Sequence, residues 1–321
     1  MLVKIAPTKF YPLLGTLLFA AAVQADDPVT PAIPGVAAGG VVIDVIKEGF
    51  KGTEGPIAYS DGSLLFTETN ENRIVRIAPD NTVSSFLENS NGANGLALNA
   101  DGELIAVQTL KPQVGIIYPA EKQKVLAENF EGVAFQRPND VVLHSSGTVY
   151  FTDSGTRPTK ENPNPPSSHP GVFSINSSGE LKRLANDIER PNGIQLNKAE
   201  NILYVANTAG EHILAYDIAA DGSISNKRNF AKLDGWKEAE GAWSSGADGL
   251  AIDDEDRLYV ASNAGVEVFD AKGAALGIIK LPKKPQNIAF AGTDKKSLYV
   301  VGRGSAYRIP LLAQGFKGRA K

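Results

Sequence analysis

Residues 139–153 read NDVVLHSSGTVYFTD, and residues 192–207 read NGIQLNKAENILYVAN. In each stretch a polar residue is followed by a short apolar run, a polar turn and a second apolar run, which is the pattern of a β-hairpin. The pattern occurs six times along the chain: at residues 54–68, 94–108, 139–153, 192–207, 248–262 and 287–302. Because a recurring unit of this length is typical of repeat folds, it predicts the architecture of the whole chain.

Further strand-like pairs lie between these hairpins, for example NRIVRIAPDNTVSSFL at residues 72–87 and GVFSINSSGELKRLA at residues 171–185. Two hairpins make a four-stranded antiparallel sheet, and the intervals of 39 to 56 residues between repeats suit one propeller blade each. We therefore predict an all-β fold, a six-bladed β-propeller of four-stranded antiparallel blades around a central channel. Residues 41–49 are expected to pair with residues near 298–310, because this closure would remove two exposed sheet edges.

The composition narrows the classes of function. The chain has 321 residues, 42% of them hydrophobic, which suffices for a large core. Its net charge of −4 gives no electrostatic reason to expect nucleic acid or an anionic membrane as a partner. Because cysteine is absent, disulfides, thiolate metal sites and a cysteine nucleophile are excluded.

The N-terminal residues have the pattern of a bacterial-type secretory signal. Lys4 and Lys9 precede an apolar stretch over residues 12–23, and Val23-Gln24-Ala25 fits a small-residue cleavage site. The apolar stretch is short for a membrane span, and the alternative, a buried amphipathic helix, would need a polar face that it lacks. We expect three parts: a signal peptide at residues 1–25, a flexible lead-in at residues 26–40, and one propeller domain at residues 41–321. The location is expected to be periplasmic or secreted, with no membrane span after removal of the signal.

One oxygen-bearing residue begins each of the six hairpins: Glu54, Asn94, Asn139, Asn192, Asp248 and Asn287. The innermost strand of a propeller blade runs along the channel, so these residues are expected to converge at one end of the axis. If they were only turn residues, which remains the alternative, Gly, Ser, Lys or Pro would be expected among them. Two carboxylates with several amide oxygens suit a hard divalent cation in the channel, Ca²⁺ first, with Mg²⁺, Mn²⁺ and Zn²⁺ as alternatives. A purely structural ion would fit the same ligands.

Four ordered motifs give the chain a resemblance to a known family: Glu54-Gly55-Pro56, Arg137-Pro138-Asn139-Asp140, Pro191-Asn192-Gly193 and Asp248-Gly249. Over residues 41–312 the sequence resembles the senescence marker protein (regucalcin) and gluconolactonase family of six-bladed propellers. The resemblance implies that Glu54, Asn139, Asn192 and Asp248 bind the metal. It also implies that Asn94 holds the substrate or supports the ligands.

The resemblance further implies a metal-dependent hydrolase that opens lactones of sugar acids or related esters, with a small molecule as its partner. The cation would polarise the carbonyl, and Asp248 would act as the base on the attacking water or, alternatively, as the nucleophile. Because some relatives act on aryl esters or organophosphates, these substrates remain alternatives to a lactone. A non-catalytic propeller that binds a small ligand or a protein is the alternative from another class, and the oligomeric state is left open.

Several residues keep two interpretations. Relatives often carry an Arg two residues before the Asn of the second repeat, where this chain has Gly92, so a less polar lactone or another ester fits as well as an aldonolactone. Asp140, Asp153 and Asn287 are expected either to bind substrate or to orient a ligand or a water, with turn chemistry as the alternative. The Pro-rich loop over residues 154–171 is either a lid on the channel or a surface insertion.

Overall fold

The structure is a computed structural model, and it describes residues 27–156, 163–164, 166, 168–239 and 241–321. In this part of the chain the regular structure is β, apart from two single-turn 3-10 helices at Thr69–Glu71 and Ala120–Lys122. No helix among these residues has the length and apolarity that crossing a membrane requires. The signal peptide predicted for residues 1–25 lies outside the described residues.

The described residues form six four-stranded antiparallel sheets and two short hairpins. The strands of the first half, in chain order, are β1 (Asp44–Glu48), β2 (Thr53–Ala58), β3 (Leu64–Glu68), β4 (Arg73–Ile77), β5 (Val83–Glu88), β6 (Ala93–Leu98), β7 (Leu104–Gln108), β8 (Gln113–Tyr118), β9 (Lys124–Ala127), β10 (Asn129–Phe130), β11 (Val133–Ala134), β12 (Pro138–Leu143), β13 (Val149–Asp153), β14 (Gly171–Ile175) and β15 (Leu181–Ala185). Those of the second half are β16 (Pro191–Leu196), β17 (Ile202–Asn207), β18 (His212–Ile218), β19 (Ile224–Lys232), β20 (Lys237–Ala239), β21 (Ala242–Ser244), β22 (Leu250–Ile252), β23 (Leu258–Ser262), β24 (Gly265–Phe269), β25 (Ala275–Ile279), β26 (Asn287–Ala291), β27 (Ser297–Gly302) and β28 (Ser305–Pro310).

The six sheets are the blades of a propeller, as the repeats predict. Blades 1 to 5 are meanders that begin with β2, β6, β12, β16 and β22, and blade 6 has the order β26-β27-β28-β1. The first strands of the blades contact one another in cyclic order, and β26 of the last blade contacts β2 of the first. In blade 6, Asp44 of β1 lies opposite Arg308 of β28, which confirms the predicted closure of the ring by residues 41–49.

The hydrophobic core is divided into six layers, one between each pair of neighbouring blades. Successive side chains of a strand point to opposite faces of the sheet, and both faces of a blade are covered by its neighbours. In β6, for example, Leu96 packs toward blade 1 and Ala97 toward blade 3. This explains why the inner strands are apolar at nearly every position instead of at alternate ones.

The expectation of a flexible lead-in at residues 26–40 is wrong for the residues described from 27 onward. Ile33, Val36 and Ala37 are buried in the core layer between blades 5 and 6. Thr30 N donates to Val41 O at 2.8 Å, so the segment is also tied to the chain that follows it. The Pro and Gly content suggested a loop, but three apolar side chains at close spacing are enough to anchor it. The packed domain therefore begins near residue 28 and not near residue 41.

Candidate functional site

The side chains that begin the inner strands meet at one mouth of the channel. Five of the six line a single cavity of about 890 Å³, the mouth cavity: Glu54, Asn94, Asn139, Asn192 and Asp248. The sixth, Asn287, lies beside them, and its Nδ2 donates to Glu54 Oε2 at 3.2 Å. The convergence expected from the repeats is thus present in the structure.

A glycine follows four of these residues because the inner strands approach one another closely. A Cβ atom on Gly55 would lie 1.9 Å from Asn94 O of the next blade, and one on Gly193 would lie 2.0 Å from Asp248 O. Both distances are far inside van der Waals contact. The repeated pairing of an oxygen-bearing residue with Gly therefore serves two purposes, since the first residue faces the mouth and the second brings neighbouring strands together.

Three oxygens of this group are buried and have no hydrogen-bond partner among the described residues: Asn94 Oδ1, Asn192 Oδ1 and Asp248 Oδ1. The amide of Asn192 is fixed, because its Nδ2 donates to Thr208 Oγ1 at 3.0 Å and leaves the oxygen as the unpaired atom. Buried polar atoms are nearly always paired, so a cluster of unpaired acceptors needs an explanation. A bound cation would explain the cluster, because a cation is coordinated by oxygen atoms of this kind.

The two carboxylates of the mouth cavity are held in an unfavourable state in the absence of a cation. Burial and the neighbouring Asp248 carboxylate raise the pKa of Glu54 well above its usual range. Burial raises the pKa of Asp248 to about 7, with Lys284 opposing the shift. A divalent cation would remove this penalty, and oxygens from carboxylates and amides are the donors that Ca²⁺ prefers. The residues therefore fit such an ion, although no three His, Cys, Asp or Glu side chains cluster anywhere in the described chain.

Glu54 is oriented by two amide side chains from blade 6. Asn287 Nδ2 donates to one carboxylate oxygen, and Gln286 Nε2 donates to the other at 3.3 Å. Asn287 Oδ1 in turn accepts the N–H of Ile288 at 2.9 Å. Asn287 therefore acts on the site through Glu54, and Gln286 is a further residue of the site that the sequence pattern did not single out.

Asp153 holds the segment that precedes Asn139. Its carboxylate accepts backbone N–H groups from Gln136, Arg137 and Gly155 at 3.0, 2.9 and 2.8 Å. Burial raises the pKa of this carboxyl, and the three donors oppose the shift. Asp153 does not line the mouth cavity, so its place in the structure is that of an orienting residue and not of a substrate contact.

Asp140 also lies outside the mouth cavity. It is fully buried, its Oδ2 accepts the N–H of Ile194 at 3.1 Å, and the same oxygen binds Lys321 Nζ. Lys321 is carried by residues 313–321, the plug segment, which enters the channel at the end opposite the mouth cavity, where Ala58 N donates to Ala320 O at 2.8 Å. Nothing in the sequence pattern pointed to this ion pair.

Four cationic side chains line the mouth cavity together with the oxygen-bearing group: Arg137, Arg190, Lys284 and Arg303. The sequence contained a signal for two of them, because Arg137 and Arg190 each stand two residues before an Asn of the group. Eight of the 18 residues of the predicted lid at residues 154–171 lie outside the described residues. Its described residues are not among those that line the mouth cavity.

Comparisons with known proteins agree with the fold and the motifs. The model of the SMP-30/Gluconolactonase/LRE-like region matches residues 52–303. A gluconolactonase from Zymomonas mobilis is 28% identical over 290 residues, which cover 83% of this chain and 80% of that protein.

Solved structures show the same fold. A gluconolactonase from Xanthomonas campestris superposes with a TM-score of 0.77 at 25% identity, covering 91% of this chain and 98% of the other. Regucalcin from Agrobacterium tumefaciens, a calcium-binding protein, gives a TM-score of 0.69 at 17% identity, covering 85% of this chain and 94% of the other. With the family match extending from blade 1 to blade 6, this chain belongs to the SMP-30/gluconolactonase/LRE-like family.

Proposed function

We propose that this protein is a divalent-metal-dependent hydrolase that opens lactones, with Ca²⁺ as the preferred ion. The observation that carries the proposal is the group of three buried oxygens without a partner, one of them from Asp248, that lines the channel mouth together with the Glu54 carboxylate. The similarity to the gluconolactonase of Zymomonas mobilis supports a lactone as the substrate. Glu54, Asn139, Asn192 and Asp248 would hold the ion, and Asn94 presents a further oxygen beside them.

When bound, such an ion withdraws electron density from the carbonyl oxygen of the scissile ester. The remaining steps fall to the side chains of the chain itself. A water oxygen attacks the carbonyl carbon while one of its protons moves to the Asp248 carboxylate. The bond between the carbonyl carbon and the ring oxygen then breaks, and the proton passes to the ring oxygen, which yields the open hydroxy acid and restores Asp248.

Asp248 suits this role for two structural reasons. Its Oδ1 has no partner among the described residues, so it is available to a water. Its position is fixed, since Asp248 N donates to Ala261 O at 2.9 Å and Gly249 N donates to Gln286 O at 2.8 Å. A general base must lie within hydrogen-bond reach of the proton that it accepts, and a fixed backbone maintains that geometry.

Turnover on a panel of lactones and aryl esters tests the proposal, with a pH indicator as readout before and after chelation. Activity is expected to fall on chelation and to return with Ca²⁺. Asp248→Asn and Glu54→Gln should each lower kcat/KM by about 10²-fold or more, the usual range for loss of a general base or of charge stabilisation. Asp101→Asn and Glu121→Gln are matched controls, because both carboxylates are exposed and far from the mouth.

Two outcomes would overturn the proposal. If no lactone or ester is opened with any of Ca²⁺, Mg²⁺, Mn²⁺ or Zn²⁺ restored, the protein is a binding propeller and not a hydrolase. If activity survives chelation and both site variants unchanged, the reaction takes place elsewhere. A single turnover in ¹⁸O-labelled water separates the two roles of Asp248, since label enters its carboxylate only if Asp248 is the nucleophile.

The signal-like pattern of residues 1–25 supports a periplasmic or secreted location. Cell fractionation, with mass spectrometry of the mature chain, tests this, and a mature protein that begins at Asp26 is the expected result.

A further inference from the structure

Cationic side chains surround the mouth cavity above the oxygen-bearing group. Arg137 and Arg190 stand just before the inner strands of blades 3 and 4, Lys284 precedes that of blade 6, and Arg303 lies in the turn between β27 and β28. Four basic residues therefore line a cavity with only two acidic ones, Glu54 and Asp248. The cavity has an excess of two positive charges, which a bound divalent cation would raise to four.

This excess is local and not a property of the whole surface. The chain has 36 acidic and 32 basic residues and a net charge of −4. Elsewhere on the protein, basic side chains commonly pair with carboxylates, as in Arg308 with Asp44 and Arg228 with Asp217. The mouth cavity is therefore a positively charged site on a negatively charged protein.

Three of the four cations form no ion pair with a described residue. Within the described chain, Arg137, Lys284 and Arg303 have no carboxylate oxygen within 4.0 Å of their charged nitrogens. The ammonium of Lys284 lies against the backbone of Gly246, where an added Cβ would be 2.4 Å from Nζ. Burial lowers the pKa of Lys284, and repulsion from Arg303 adds to this effect while Asp248 opposes it.

Like charges that are held together without counterions destabilise one another unless a ligand neutralises them. Guanidinium groups are well suited to that ligand, because their planar fork donates two hydrogen bonds to a carboxylate or a phosphate. Arg137 and Arg303 are exposed at the rim, whereas the unpaired oxygens are buried at the floor. An anion at the rim would therefore belong to a part of the substrate away from the scissile ester.

We propose that the natural substrate is an anionic lactone, one that carries a carboxylate or a phosphate in addition to the ester, and that Arg137, Lys284 and Arg303 bind this group. The proposal rests on the lactonase function proposed above and specifies its substrate class. The anion is bound in the ground state and the transition state alike, so its recognition lowers KM more than it raises kcat. The positive charge of the mouth also attracts the anionic substrate, and added salt reduces the distance over which this attraction acts.

Steady-state kinetics on matched lactones test this proposal. The substrates are glucono-1,5-lactone as the neutral compound, a glucaric acid monolactone as the carboxylate and 6-phosphogluconolactone as the phosphate. We expect kcat/KM to be at least about 10-fold higher for an anionic lactone than for the neutral one at low ionic strength, mainly through KM, and the preference to shrink as salt is added. The anionic lactone with the higher kcat/KM shows whether the site prefers a carboxylate or a phosphate.

The variants Arg137→Gln and Arg303→Gln should each lower the ratio of anionic to neutral kcat/KM by about 10-fold or more, the usual effect of losing a hydrogen bond to a charged group. Lys317→Gln is the matched control, because Lys317 is exposed at the opposite end of the channel and its loss removes the same charge. Equal effects of the rim variants on anionic and neutral substrates would overturn the proposal, as would a preference for the neutral lactone.

Calorimetric titration with the open acids separates this proposal from the lactonase function, because it needs no turnover. Glucarate and 6-phosphogluconate carry an anionic group in addition to the carboxylate that ring opening creates, and they are expected to bind more tightly in the wild type than gluconate, which has that carboxylate alone; Arg303→Gln should remove the difference. If lactones are opened but neither acid with the additional anionic group binds better than gluconate, only the substrate class is wrong. If these two acids bind selectively but no lactone is opened, the lactonase function is wrong and the rim remains an anion site.

Discussion

Lys321→Met is the most informative test of how the channel is built. Lys321 Nζ binds the carboxylate of Asp140 and donates to Ile194 O at 3.2 Å. The two side chains are 3% and 0% exposed. Methionine has a similar length and no charge, so the substitution keeps much of the packing and removes the counterion.

The expected loss of stability is large because the Asp140 carboxylate stays behind. It keeps the N–H groups of Ile194 and Val141 as donors, at 3.1 and 2.9 Å, but no positive charge. Breaking a buried ion pair by removing one partner costs about 3–5 kcal/mol. In a domain of this size, where 1 kcal/mol moves Tm by roughly 2–3 °C, the expected fall in Tm is roughly 6–15 °C.

Differential scanning calorimetry at one scan rate measures the change, with Lys317→Met as the matched control. Lys317 lies on the same plug segment and is exposed, so its substitution should change stability by no more than about 0.5 kcal/mol. The double variant Asp140→Asn with Lys321→Met removes both charges. Its loss of stability should be smaller than the sum of the losses of the two single variants.

Two results would refute this reasoning. One is a Lys321→Met protein whose Tm matches that of Lys317→Met, which would mean that Asp140 does not need its counterion. The other is additivity of the two single substitutions within about 0.5 kcal/mol, which would mean that the groups do not interact.

Three further predictions follow from the site. Gly193→Ala should destabilise the protein by at least about 1–3 kcal/mol and impair activity, since the added methyl would lie 2.0 Å from Asp248 O; thermal unfolding and a lactone assay measure both effects. Added Ca²⁺ should raise Tm in chelator-treated protein, by an amount equivalent to about 2.7 kcal/mol at a concentration 100 times Kd, and Asp248→Asn should abolish the rise. In chelator-treated protein burial raises the pKa of Asp248 from its ordinary value of 3.8 to about 7, so the folded protein binds more protons than the unfolded one and its stability should fall as pH rises from about 4 to about 7. Denaturant unfolding across this range measures the slope, and a slope equal to that of Asp248→Asn would contradict the assignment.

The fold could be read from the sequence because each blade repeats one local pattern. The alternation of apolar runs and turns gave six hairpins, and the spacing between them indicated one four-stranded blade for each. The mouth residues were found for the same reason, since a fixed place in a repeat becomes a fixed place on the axis. The prediction of a flexible lead-in was wrong for residues 27–40, because it relied on their Pro and Gly content and ignored three well-spaced apolar side chains.

The features that the sequence did not reveal depend on contacts between distant parts of the chain. Lys321 and Asp140 are separated by 181 positions, and no repeat relates them. Gln286 and Lys284 precede the inner strand of blade 6 and lie outside the hairpin pattern, so the repeats gave no signal for them. The sequence left the role of Asp153 open between substrate binding, orientation of a neighbour and turn chemistry, because a strand-end Asp that accepts three backbone N–H groups has the same sequence pattern as a turn residue.

If a divalent cation binds as proposed, the charges along the channel explain why the mouth takes an external ion while the opposite end does not. Among the acidic residues at the starts of the inner strands, Asp140 is buried, and Glu54 and Asp248 are partly buried. The protein supplies a bonded cation for one of them, because Lys321 reaches Asp140 from the plug segment. Glu54 and Asp248 receive no ion pair within the described chain, and burial raises the pKa of each. Their two negative charges match one divalent cation, and the neighbouring amide oxygens complete a neutral set of donors. With that ion bound, Arg137, Lys284 and Arg303 still have no ion-pair partner in the described chain, and an incoming anion would neutralise them. On this proposal the plug, the metal ligands and the rim are three parts of one electrostatic arrangement, in which the charges that the chain leaves without an ion pair correspond to what the site binds.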